Sequence, residues 1–214
     1  MISTQDLSEL PDIRAFRRLT RALAVLDAIL SPDWEYRYYS FDSHWAEGEM
    51  MASMRNGSGD QWFALLSPAG VALHGLAHES AAFRHGSPLL GIFDSLPREF
   101  HTNFLSEPAF DTANSTFCIW RRATDDRWST GAVNLPPGED PDGSAELLAI
   151  LAGDPRHYVQ FAAEYYEREL DIGDVAAVYR HLPLTEGLVK RLNPKVDLES
   201  LRADMSEIGY PEAG

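Results

Sequence analysis

The densest set of ionisable side chains in the sequence is His74-Gly75-Leu76-Ala77-His78-Glu79, with His85 close behind. Two histidines four residues apart hold zinc well when both lie on one helical face, and a neighbouring carboxylate can then act as a base. The order here is H-x-x-x-H-E where the zinc motif is H-E-x-x-H, and Gly75 sits in a segment that reads as a strand. On a strand the two imidazoles share a face but stand about 13 Å apart, too far to chelate one ion directly. No metal site is therefore expected. The plain alternative is a strand end where His78 and Glu79 bond to backbone or face water.

Other chemistries lose their anchors in the same way. Asp140-Pro141-Asp142-Gly143 has the look of a calcium loop, but the sixth position from Asp140 is Ala145, where the loop needs glycine, and the twelfth is Leu151, where it needs glutamate. Asp142 is better explained as a carboxylate beside a helix N-terminus. Ser58 lies in Asn-Gly-Ser-Gly-Asp, a hairpin turn, not the strand-to-helix elbow of a nucleophilic serine. Cys118, the single thiol, falls on an apolar strand and reads as a small buried hydrophobe. Neither glycine-rich phosphate loop is present, so no nucleotide or other cofactor is expected.

Aromatic and arginine side chains make a stronger set. Trp45, Arg55, Trp62, Trp120, Arg121 and Arg122 all fall on or beside predicted strands. Such residues dominate binding hot spots because they bury large areas and make several directed contacts. Together with His78 and Glu79 they form the candidate ligand or partner surface, although core packing explains Trp62 and Trp120 equally well. An enzymatic alternative gathers His78, Glu79, Arg121 and Arg122 into one hydrolase-like cleft.

The elements that must position these residues follow from periodicity. Ile13, Phe16, Leu19, Leu23, Leu26, Ile29 and Leu30 recur at helical spacing, with Pro11 suited to the first turn and Ser31-Pro32 ending the helix. From 34 to 77 the period becomes two. Strands are expected at 34–41, 50–54, 61–66 and 71–77, and the short turns between them force antiparallel neighbours. Ser95 to Leu105 reads as a short helix capped by Ser95, with Phe100, Phe104 and Leu105 inward. Segments 115–122 and 127–133 form a further hairpin.

After a turn-rich acidic connector, helices are expected over 144–151, 154–170, 174–181, 185–192 and 197–208. The whole is α+β, one domain over 1–214: an N-terminal helix to residue 33, an antiparallel sheet of about five or six strands to 134, then a helical part.

Composition narrows the function class. The 214 residues carry 33 acidic against 18 basic side chains, a formal charge of -15. Arg14, Arg17, Arg18 and Arg21 are the one substantial basic cluster, diluted by nearby carboxylates, so nucleic acid is not an expected partner. Residues 135–214 hold nine of the 15 net negative charges, and any partner chosen by electrostatics should be basic. A single cysteine excludes an internal disulfide framework. With no membrane-length apolar run and no signal-like N-terminus, the chain reads as cytoplasmic.

Several strings resemble a family of uncharacterised bacterial proteins: Tyr38-Tyr39-Ser40-Phe41-Asp42-Ser43-His44-Trp45, Met51 to Asp60, Gly75 to Ser80, Phe117 to Arg122, Glu139 to Ser144 and Pro183-Leu184-Thr185. The resemblance spans roughly 34–195 and implies no activity, ligand or catalytic residue. The α+β order, Leu96-Pro97-Arg98-Glu99-Phe100 and the acidic balance also resemble immunity and immunity-like proteins of bacterial toxin systems. The expectation is thus a non-enzymatic binding or regulatory protein with an acidic helical surface and a basic protein partner. A homo-oligomer would need a large apolar patch on the sheet or the C-terminal helices.

Overall fold

In the computed structural model, which describes residues 2–211, the first helix, α1, runs Ile13–Leu30. The Asp12 carboxylate accepts from the Ala15 N–H and caps it, so Pro11 lies just outside the helix and not in its first turn. Every residue from Ala22 to Leu30 is buried. An amphipathic stripe cannot explain that. The sheet covers one side of the helix, and α4, Ile172–Tyr179, and α6, Leu198–Ile208, cover others.

Six strands form one antiparallel sheet in sequence order: β1 Tyr39–Ala46, β2 Glu49–Arg55, β3 Gln61–Ser67, β4 Gly70–Leu76, β5 Phe117–Arg122 and β6 Ser129–Thr130. Alternation sends Phe41, Ala52, Trp62, Ala64, Leu73, Phe117 and Ile119 towards α1 and the C-terminal helices. Phe63, Leu65, Ala72, Cys118 and Trp120 go to the opposite face, where Ile92, Leu96, Phe100, Phe104 and Phe110 cover them. With both faces covered, β3 and β4 are buried almost throughout, and their sequences are continuous apolar runs.

The α+β architecture agrees with the sequence reading, and the departures have local causes. Residues 34–36 form a single 3-10 turn and the strand starts at Tyr39. The Arg37 guanidinium donates to the Ser31 and Pro32 carbonyls and to Asp204, which folds the chain back before it can extend. The 95–105 segment is a 3-10 turn at Arg98–Phe100 running into a wide turn at His101–Leu105, with no side-chain cap. Phe100 and Phe104 are buried as the spacing requires.

The second strand of the 115–133 hairpin shrinks to two residues. At Gly131 the chain passes so close to 91–92 that a Cβ would stand 2.5 Å from the Ile92 carbonyl oxygen, and it leaves the ladder to run beside that loop. The last part of the chain contains α2 Ser144–Leu148 with a 3-10 turn at Ala149–Ala152, α3 Pro155–Tyr165, α4, α5 Glu186–Leu192 and α6. Helix α3 stops short of Leu170 because Glu167 turns left-handed at φ 53, and α4 is capped by Asp171, not Asp174. Among the described residues no helix is long and apolar enough to cross a membrane.

Candidate functional site

Register separates the residues of the proposed hydrolase-like cleft. Arg122 pairs with Gly70 and Arg121 with Val71, at the start of β4, whereas His78 and Glu79 follow its far end at Leu76. From Val71 to His78 along an extended chain is about 23 Å. Arg121 and Arg122 also leave opposite faces of the sheet. Arg122 is taken by Asp125 in an ion pair of 3.1 Å, and Arg121 Nε donates to the Asp125 carbonyl. The four groups therefore make no common cleft.

The tryptophans divide likewise. Trp62 is buried on the helix-facing side, Trp120 is buried on the other face, and Trp45 leans on Phe110 with ring centroids 5.8 Å apart. Their rings are packing, not a shared surface. Cys118 is buried and its thiol is pushed up by loss of solvent. His74 is buried between Phe63 and Phe104, its Nδ1 2.8 Å from Ser115 Oγ.

His78 and Arg55 do come to one end of the sheet. The Asn56–Asp60 turn joins β2 to β3, and its Asp60 carboxylate accepts from the His78 backbone N–H and lies 2.8 Å from His78 Nδ1. This bond holds the imidazole pKa above its usual value, and Glu79, 3.9 Å away, adds to the shift. His78 rests on Gly59, where a Cβ would meet the ring at 2.9 Å. The pair resembles half of a general-base arrangement, with no nucleophile bonded to it among the described residues. No group of three or more His, Cys, Asp or Glu among those residues is placed to hold a metal ion.

Beside this pair stands a surface that strand propensity concealed. Asp33-Trp34-Glu35-Tyr36 alternates acid and aromatic on an exposed turn, with Trp34 53 % and Tyr36 57 % exposed. Tyr165, at the end of α3 and 40 % exposed, donates to the Tyr36 carbonyl and packs on Tyr38 at 4.3 Å. The Arg55 guanidinium lies 4.4 Å from the centre of the Trp34 ring and stacks on it. Arg37, anchored on Asp204 by two bonds of 2.9 Å, fixes the base of the turn. Tyr165 and the turn are thus tied together, with the turn anchored to α6 through Arg37. The signal in the sequence is the acid-aromatic alternation directly after Pro32, which suits an exposed turn better than a half-buried strand.

The charge excess of the C-terminal part also takes a different meaning. Asp140, Asp154, Asp171 and Asp197 accept from backbone N–H groups at helix starts, and Asp174 and Asp204 are paired with Arg191 and Arg37. Asp142 is buried and bonded to Ser144 and Thr4. Glutamates carry the remaining solvent-facing charge there. Glu164, Glu167 and Glu169 neighbour Tyr165 in the chain, and Glu35 belongs to the turn that Tyr165 contacts, all exposed.

Comparison of the chain with protein-family models, with curated proteins and with solved structures returns no match.

Proposed function

We propose that this chain is a cytoplasmic, non-enzymatic binding protein, immunity-like or regulatory in role, whose partner is a basic polypeptide docked on the surface formed by Trp34, Tyr36 and Tyr165. The observation that carries the reading is the exposed Asp33-Trp34-Glu35-Tyr36 turn, pinned beneath by Arg37 and flanked by Tyr165 and exposed glutamates. Carboxylates interleaved with aromatic faces offer a guanidinium or ammonium both charge and a ring to stack on. Rigid aromatic anchors lose little entropy on binding, which is why they recur at hot spots.

A short arginine-rich peptide, titrated against the full chain by calorimetry and tryptophan fluorescence at low and high salt, tests the reading. Binding should weaken steeply with salt, and the paired change Trp34→Ala with Tyr165→Ala should weaken it about tenfold or more. Equal affinity in the variant, or equal binding of a glutamate-rich peptide, rejects the site.

A further inference from the structure

The basic cluster of the first helix has no part in that surface, and one member, Arg18, borders an open recess of about 390 Å³ between α1, the start of α3 and α4. The volume lies within the range of small-molecule sites. Pro11, Ala15, Leu19, Pro155 and Ala176 give it apolar walls, and its charged lining residues are Arg18 and Arg180, both exposed. In a chain of charge -15, a recess whose lining includes two arginines and no carboxylate is a local reversal of sign.

The Arg18 side chain is tied to the backbone of Arg180. Arg18 Nη2 donates to the Arg180 carbonyl at 2.7 Å, and His181 Nε2 lies 2.6 Å from the Arg18 carbonyl oxygen. The Arg180 guanidinium has no bonded partner among the described residues. Asp154, next to the wall at Gly153 and Pro155, is occupied by Arg156, whose backbone and guanidinium both donate to it. The wall also includes the Tyr179 ring, whose hydroxyl is buried away from the opening.

We infer that this open recess is a binding site for an amphiphilic monocarboxylate, its carboxylate on Arg18 and Arg180 and its apolar body against Pro11, Leu19 and Ala176. The volume suits a body of about eight to ten carbons. A fork of guanidinium donors matches a carboxylate in geometry as well as charge.

The test is a head-group series at constant tail, octanoate, octan-1-ol and octylammonium, with inorganic phosphate as a bare anion, followed by amide chemical shifts of the full-length protein. Octanoate should shift the amides of Ala15, Leu19, Gly153 and Ala176 with a dissociation constant of about 1 mM or tighter, in the range for about ten heavy atoms. Octanol should bind about tenfold more weakly and octylammonium not measurably. Arg180→Gln, at an exposed position, should weaken octanoate several-fold. Equal binding of octanol, equal binding of phosphate at these amides, shifts confined to other regions, or unchanged octanoate affinity in Arg180→Gln overturns the assignment.

Discussion

Arg37 and Asp204 meet edge to edge, with Nη1 and Nη2 each 2.9 Å from a carboxylate oxygen, although 167 residues separate them in the chain. The arginine side chain is 7 % exposed and also donates to the Ser31 and Pro32 carbonyls. One guanidinium thus ties α6 to the turn that presents Trp34 and Tyr36.

Arg37→Lys should therefore behave as a damaging change. The guanidinium spreads four bonds over Nε, Nη1 and Nη2, and a lysine ammonium, with three donors on a single nitrogen, cannot reproduce them. The charge is kept but bonds to it are lost, at a cost of about 2 kcal/mol, read as a lower urea midpoint. The arginine-rich peptide should also bind more weakly, because the turn loses its base while both rings remain. A variant as stable as the wild type, with unchanged peptide affinity, contradicts this role.

Asp27 should make stability depend on pH in an unusual direction. It is buried in α1, where Tyr158 Oη donates to one carboxylate oxygen at 2.6 Å and the Tyr39 N–H to the other at 2.8 Å. Burial outweighs these bonds and lifts its pKa from 3.8 to about 6. Between those values the unfolded chain has lost the proton and the folded chain keeps it. The stabilisation is complete below about pH 4 and is lost as pH rises through 6, a span of about 3 kcal/mol. In urea titrations, Asp27→Asn should remove this rise in stability on acidification, and parallel curves for variant and wild type would refute it.

His74 works in the opposite sense. Burial lowers its pKa from 6.5 to about 4, so between those values the unfolded chain binds a proton that the folded chain refuses. Its contribution falls as pH drops through this window, again by about 3 kcal/mol. His74→Phe keeps the aromatic packing against Phe63 and Phe104, and Ser115 Oγ retains its bond to the Thr112 carbonyl. The variant should lie within about 1 kcal/mol of wild type at pH 7 and gain relative stability towards pH 4.5. No relative gain on acidification would show that His74 takes up a proton in the folded protein.

The elements legible in the sequence are those set by neighbours along the chain. Thr185 and Asp197 cap α5 and α6 where expected, and the turns at 56–60 and 67–70 place β2, β3 and β4. What depends on distant partners was not legible. The aromatic run at 34–41 has strand propensity, and only the bond from Arg37 to Asp204 turns its first part outward. Trp62 and Trp120 share a composition but face opposite sides, a matter of strand register. Arg121 and His78 are separated by the same register, since both adjoin β4 at different ends. The cover formed by Ile92, Leu96, Phe100, Phe104 and Phe110 has no sustained period, because 3-10 and wide turns, not a regular helix, deliver its rings.

Gly75 provides a test of that register. It pairs with Phe117 across β4 and β5, and the phenyl ring lies over the glycine so closely that an added Cβ would stand 2.1 Å from Cζ. No rotation of a methyl group relieves such an overlap, so either the ring or the strand must move. Gly75→Ala should destabilise by about 2 kcal/mol even though alanine suits a strand backbone better than glycine does. Phe117→Leu alone should also destabilise, by removing buried ring area. Combined, the two should cost less than their sum, because the smaller side chain makes room for the methyl group. Additive losses in a urea double-mutant cycle would mean that Gly75 is needed for backbone conformation and not for its contact with Phe117.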